Sequence, residues 1–146
     1  MSNKMSFKVD GFTENMKTEL TSGQHLIIID EPPNMGGQDE GPDPLTNMLA
    51  SLAGCENVIA NMVAKEMDFS LDKIEFNIEA ELDPRGLMGD PEVKPYFETV
   101  TVKATVHTDE TQDRINELKE KTDARCPVFT TLKAAGVDMQ AEWLKA

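Results

Sequence analysis

The chain is short of basic residues. Fourteen Lys and Arg stand against 27 Asp and Glu, for a formal net charge of -13 over 146 residues. Phosphate binding needs clustered Lys and Arg, so nucleic acid and anionic membrane surfaces are excluded as partners. Arginine is scarce: Arg85, Arg114 and Arg125 are the only three, and none precedes position 85. Long hydrophobic runs are missing too. The N-terminal "MSNKMSFKVDGF" has no apolar run of signal-peptide length, and the most apolar stretch, Leu45 to Ala64, is interrupted by Thr46, Asn47, Ser51, Glu56, Asn57 and Asn61. No membrane span is therefore expected, and a cytoplasmic location is. The two histidines, His25 and His107, are not at metal-ligand spacing to another His or Cys, so no metal site is expected. A Gly-rich phosphate loop, a G-x-S-x-G elbow and a Rossmann fingerprint are all absent, and no cofactor is expected either. Cysteine occurs twice, at Cys55 and Cys126. In a reducing compartment a bond between them would be transient rather than structural.

What is there suffices for one core. At 39% hydrophobic content, the chain reads as a single α+β domain over residues 1–146. Phe7 to Ile29 reads as a hairpin or meander, with "TSG" as a turn and "HLIIID" as a short buried strand. Glu31 to Pro44 is a loop of Pro, Gly and acid that ends in Asp43-Pro44, an N-cap followed by Pro at the first helical position. From there Met48, Leu52, Cys55, Ile59 and Met62 recur at steps of four and three, and Leu45, Leu49, Ala53 and Ala60 widen the apolar surface. This predicts a central helix buried on most sides. Gly54 costs roughly 1 kcal/mol of helix propensity against Ala, which either a packing glycine or the close approach of another backbone or ligand would explain.

Strict alternation predicts two half-buried strands, Ile74 to Leu82 and "TVTVKATVH", paired antiparallel and joined by the Gly- and Pro-rich "DPRGLMGDPEVKPYF". "DETQDRINELKEKTDAR" predicts a charged helix with an apolar seam at Ile115 and Leu118. "PVFTTLKAA" predicts a shorter helix stopped by Gly136, and the alternating "VDMQAEW" a last strand.

The two thiols differ in setting. Pro127 at N1 makes Cys126 the N-cap of the shorter helix, where free backbone N–H groups, the positive end of the helix dipole and the adjacent Arg125 favour a thiolate. Cys55 lies inside an apolar helix, where a buried cysteine is commonly a small hydrophobe. From the residues alone, joint redox work and independent packing both remain open.

"GPDPLTNMLASLAGC", with a cysteine eleven residues after its second Pro, and "CPVFTTLKAAGV", whose cysteine lies 71 positions further on, resemble the two cysteine motifs of the OsmC/Ohr superfamily, the osmotically inducible and organic hydroperoxide resistance proteins. The order of elements agrees over nearly the whole chain. The resemblance implies an intertwined homodimer with antiparallel sheets around a buried central helix, and a thiol-dependent peroxidase acting on organic hydroperoxides. It makes Cys55 the peroxidatic residue, Cys126 the resolving one, and a dithiol the reductant. Met48, Leu52, Ile59 and Phe129 are then candidate walls for an alkyl group. The alternative it leaves is an OsmC-like dimer that binds a small apolar or thiol-bearing ligand.

This sequence departs from the peroxidase pattern in two places. The family's activating Glu, just after the Pro that opens the central helix, is here Leu45, and its N-terminal Arg has no counterpart. Arg85, in the "DPRGLMGDP" loop, is the expected substitute, ahead of Lys17 and His25. Glu56 points roughly 100° around the helix from Cys55, toward another element or solvent.

Overall fold

The computed structural model describes Asn3 to Ala146. The described residues fall into two compact units, divided between Met48 and Leu49.

The first unit is a meander. β1 (Asp10–Glu14), β2 (Lys17–Ser22) and β3 (His25–Ile29) form an antiparallel three-stranded sheet in chain order. Tight turns need left-handed residues, which Asn15 (φ 55) and Gly23 (φ 59) supply. The loop that follows holds a 3-10 turn over Pro33–Met35. It is gathered around the buried Asp30, whose carboxylate accepts N–H bonds from Glu31 at 2.8 Å, Gln38 at 3.3 Å and Glu40 at 3.2 Å. Those bonds, the Glu31 one foremost, hold the Asp30 carboxyl below its ordinary range.

α1 (Pro44–Glu66) begins as the sequence predicts: the Asp43 carboxylate accepts from Thr46 N at 2.9 Å and Thr46 Oγ1 at 2.6 Å. Within this single chain the helix is one-faced. Leu52, Glu56, Ala60, Val63 and Ala64 are buried, while Leu45, Met48, Val58 and Met62 are exposed. Among the described residues nothing approaches within 4 Å of a Cβ built on Gly54, apart from the helix's own backbone and its chain neighbours, so no other element packs closely there.

The second unit is built on β4 (Lys73–Ala80), β5 (Thr99–His107) and β6 (Asp138–Lys145), with β5 in the middle. β4 and β5 pair antiparallel, from Lys73 opposite His107 to Ala80 opposite Val100. β5 and β6 pair parallel, from Thr99 beside Asp138 to Val106 beside Lys145. The second sheet is therefore mixed, where only antiparallel pairing was expected. α3 (Gln112–Arg125) and α4 (Pro127–Ala134) form the connection from β5 to β6, and only a crossover of such length, not a hairpin, lets the chain return in the same direction. The loop between β4 and β5 carries a one-turn helix, α2 (Pro84–Leu87).

Alternation makes one face of the sheet apolar. Val100, Val102, Ala104 and Val106 of β5 are buried, and they divide between two clusters. In one, Ala60, Val63 and Ala64 of α1 pack with Ile115 and Leu118 of α3 and with Trp143, whose ring meets Phe76 edge-on at 6.1 Å. In the other, Leu52 of α1 packs with Phe97, Val100, Val102, Phe129 and Cys126. Truncating a side chain as deeply buried as Leu52 or Leu118 to Ala costs about 2–5 kcal/mol in such cores.

Candidate functional site

Cys126 joins two helices. Its N–H donates to Thr122 O at 2.9 Å, closing α3, and its sulfur accepts from Phe129 N at 3.5 Å, opening α4. The N-cap geometry is the expected one, but its electrostatic consequence is not. The residue is 0% exposed, and burial, reinforced by hydrogen bonding to Cys55, pushes the Cys126 thiol far above the ordinary range. The Phe129 N–H works in the opposite direction and is outweighed. Desolvating a thiolate costs more than one long sulfur hydrogen bond returns. The helix dipole argument fails here because Cys126 is sealed from water.

Cys55 projects from α1 toward that helix junction. It is half-buried, both cysteines are free thiols, and Cys55 lies close enough to Cys126 to help raise its thiol. The fold thus brings together two thiols 71 positions apart. Leu52 and Phe129 are buried beside them, with Ile59 packed against the same cluster. Met48, the remaining candidate wall residue, is exposed.

Glu56, one residue on from Cys55, is fully buried. It faces another element, namely the α3–α4 junction: its neighbours there are Asp123 and Cys126. Asp123 Oδ2 is held by Lys119 Nζ at 3.1 Å, while Asp123 Oδ1 and both Glu56 oxygens are buried without a hydrogen-bond donor. Two ionised carboxylates facing each other have nothing to donate. A proton on Glu56 supplies the missing donor and turns their contact into a hydrogen bond. Burial first, and Asp123 second, push the Glu56 carboxyl up to about 9. Sequence reasoning gave Glu56 no role and did not weigh Asp123. The available signal was that Glu56 is the only charged side chain between Leu45 and Ala64.

The three arginines are ion-paired. Arg85 lies on the exposed α2, its Nη2 2.6 Å from Asp83 Oδ2 and its Nε 3.0 Å from Asp83 Oδ1. Arg114 reaches Glu110 and Glu117, each at 3.3 Å, and Arg125 grips Glu66 at 2.6 Å. The causes that raise the Cys126 and Glu56 groups are burial and neighbouring thiols or carboxyls. Lys17 pairs with Glu40 at 3.4 Å and Glu19 at 3.5 Å, and His25 is an exposed residue of β3. Among the described residues no helix is long and apolar enough to cross a membrane.

The sequence profile of a family described as "OsmC-like protein" matches residues 37–142, a span that contains both thiols and Glu56. A hydroperoxide reductase from Mycoplasma pneumoniae is 25% identical over 123 residues, covering 82% of this chain and 81% of that protein. The crystal structure of an OsmC-like protein from Mycoplasma pneumoniae superposes with a TM-score of 0.84 at 19% identity, over 99% of each chain. That of an organic hydroperoxide resistance protein OsmC from Legionella pneumophila does so at 0.73 and 18% identity, over 98% of this chain and 99% of that one. The profile match spans most of the chain and the fold agrees along its length: the chain belongs to the OsmC-like protein family.

Proposed function

We propose that the protein is a thiol-dependent peroxidase that reduces organic hydroperoxides through Cys55 and Cys126. The observation that carries this reading is the nearness of the two thiols, one half-buried and one sealed in the core. The similarity to a hydroperoxide reductase supports it. In the first step the Cys55 sulfur takes the terminal oxygen of ROOH, giving a sulfenic acid and the alcohol ROH. In the second, Cys126 displaces that oxygen as water and forms the disulfide, and a dithiol returns both residues to thiols. The working unit is a homodimer, because the exposed Leu45, Met48, Val58 and Met62 of α1 need a cover that one chain does not provide.

A second reading, a dimer that binds a small apolar or thiol-bearing ligand without reducing peroxides, is favoured by the pairing of all three arginines with carboxylates. To serve Cys55, Arg85 would have to leave Asp83. Stopped-flow oxidation by an alkyl hydroperoxide separates the two, with mass spectrometry of the products. Wild type is expected to yield a Cys55–Cys126 disulfide and Cys55→Ser none. The wild-type rate should lie about 10²–10³ below that of a family member with its activating donor in place. An unreactive Cys55 leaves the binder as the better reading. An Arg85→Ala rate equal to wild type removes Arg85 from the mechanism.

A further inference from the structure

The second step poses a proton problem that the buried site makes acute. Cys126 must lose its S–H proton to attack, and the oxygen on Cys55 must gain a proton to leave as water. Forming a thiolate on Cys126, which is sealed from water, is unfavourable, and hydroxide is a poor leaving group. A group is needed that gives one proton and takes another without becoming charged. We propose that Glu56, as a neutral carboxylic acid, is that group: it protonates the departing sulfenic oxygen of Cys55 while accepting the proton of Cys126. This rests on the peroxidase reading above.

The geometry supplies each part. Glu56 follows Cys55 on α1 and has Cys126 as a neighbour, and both thiols act on its carboxyl. It is 0% exposed, so water does not compete for the transfer. Its two oxygens lack donors, which leaves one free to take a proton while the other gives its own. The titratable groups that face it are Cys55 on its own helix, Asp123 of α3 and Cys126 at the head of α4. The β5 side chains turned to the core, Val100, Val102, Ala104 and Val106, are apolar. Asp123, anchored by Lys119 at 3.1 Å, is the resting acceptor that keeps the Glu56 proton in place.

The step balances. The S–S bond forms as the S–O bond of Cys55 and the S–H bond of Cys126 break. The Cys55 sulfur is reduced from the sulfenic level and the Cys126 sulfur oxidised from the thiol level. Oxygen leaves as water with its own hydrogen and the one from Glu56, and Glu56 ends neutral, holding the former Cys126 proton.

The test times the two steps separately after mixing with tert-butyl hydroperoxide, following sulfenic acid by dimedone trapping and disulfide by mass. Positioned acid–base groups contribute typically 10²–10⁴-fold. In Glu56→Gln the sulfenic acid is expected to form as in wild type and the disulfide on the order of 10² times more slowly. In wild type the disulfide step should hold through neutral pH and fall above about pH 9 as Glu56 loses its proton. An unassisted thiol would instead react faster as pH rises. A disulfide step in Glu56→Gln that matches wild type, or a wild-type rate climbing through pH 9, overturns the relay and leaves the peroxidase reading standing. A wild-type Cys55 that forms no sulfenic acid overturns both. The wild-type pH profile decides alone if the Gln variant does not fold.

Discussion

A carboxyl buried beside another carboxyl works against folding, and the sign of its effect can be derived. Glu56 in the unfolded chain loses its proton near the ordinary value of 4.5, whereas in the folded chain it keeps it to about 9. Between these values the folded state binds one more proton, so stability falls as pH rises and levels off above about 9. At neutral pH the loss is on the order of 3 kcal/mol, since each tenfold difference in proton affinity between the two states is worth about 1.4 kcal/mol. Asp30, Glu66, Glu75 and Asp83, whose carboxyls are held low, give the opposite slope, but theirs is complete below about pH 5. We expect urea midpoints of the wild type to fall from pH 5.5 to 8.5 and those of Glu56→Gln to stay nearly level, at fixed protein concentration. Equal slopes would mean that Glu56 is ionised in the folded protein.

Elements were legible wherever one local signal settles the matter. Asp43-Pro44 starts α1, Gly136 (φ 95) follows the end of α4, and alternation sets the buried faces of β4 and β5. The Ile115 and Leu118 seam of α3 is wholly buried, as its spacing requires. The direction of β6 was not legible, because alternation is the same in parallel and antiparallel strands and a connection through two helices permits either. At the site, the cysteine pairing came from two motifs in register. The surroundings of the thiols did not, because the burial of Cys126 and the meeting of Glu56 with Asp123 depend on how α1 packs on the α3–α4 junction. A cap position read from sequence says which N–H groups are near. It does not say how much water is excluded, and for Cys126 the second quantity decides.

For the whole molecule the informative surface is the uncovered face of α1. Val58 and Met62 are 53% and 52% exposed, and Gly54 on the same helix has open space beside it. The homodimer proposed above would place a second chain there, with Gly54 admitting its backbone closely. Light scattering at micromolar concentration should then return twice the 16.2 kDa chain mass. Met62→Lys should shift it toward monomer with a loss of stability, since the apolar face would lose its cover. A wild-type protein that is monomeric and folded at that concentration contradicts the assignment.

The nearness of Cys55 and Cys126 also bears on chain entropy. A bond between them ties two points 71 positions apart, and closing a loop of that length restricts the unfolded ensemble by roughly 4 kcal/mol if the native geometry absorbs it without strain. The oxidised protein would then be harder to melt than the reduced one by several degrees. The same free energy appears in the redox couple: whatever the fold gains from the cross-link, a reductant must supply to open it, and the potential shifts to more negative values. A monothiol at equilibrium would leave most of the protein oxidised, while a dithiol, which closes its own ring on the way out, would not. A calorimetric scan of the two redox forms measures that difference, and coincident transitions would show that the cross-link is strained by as much as it constrains.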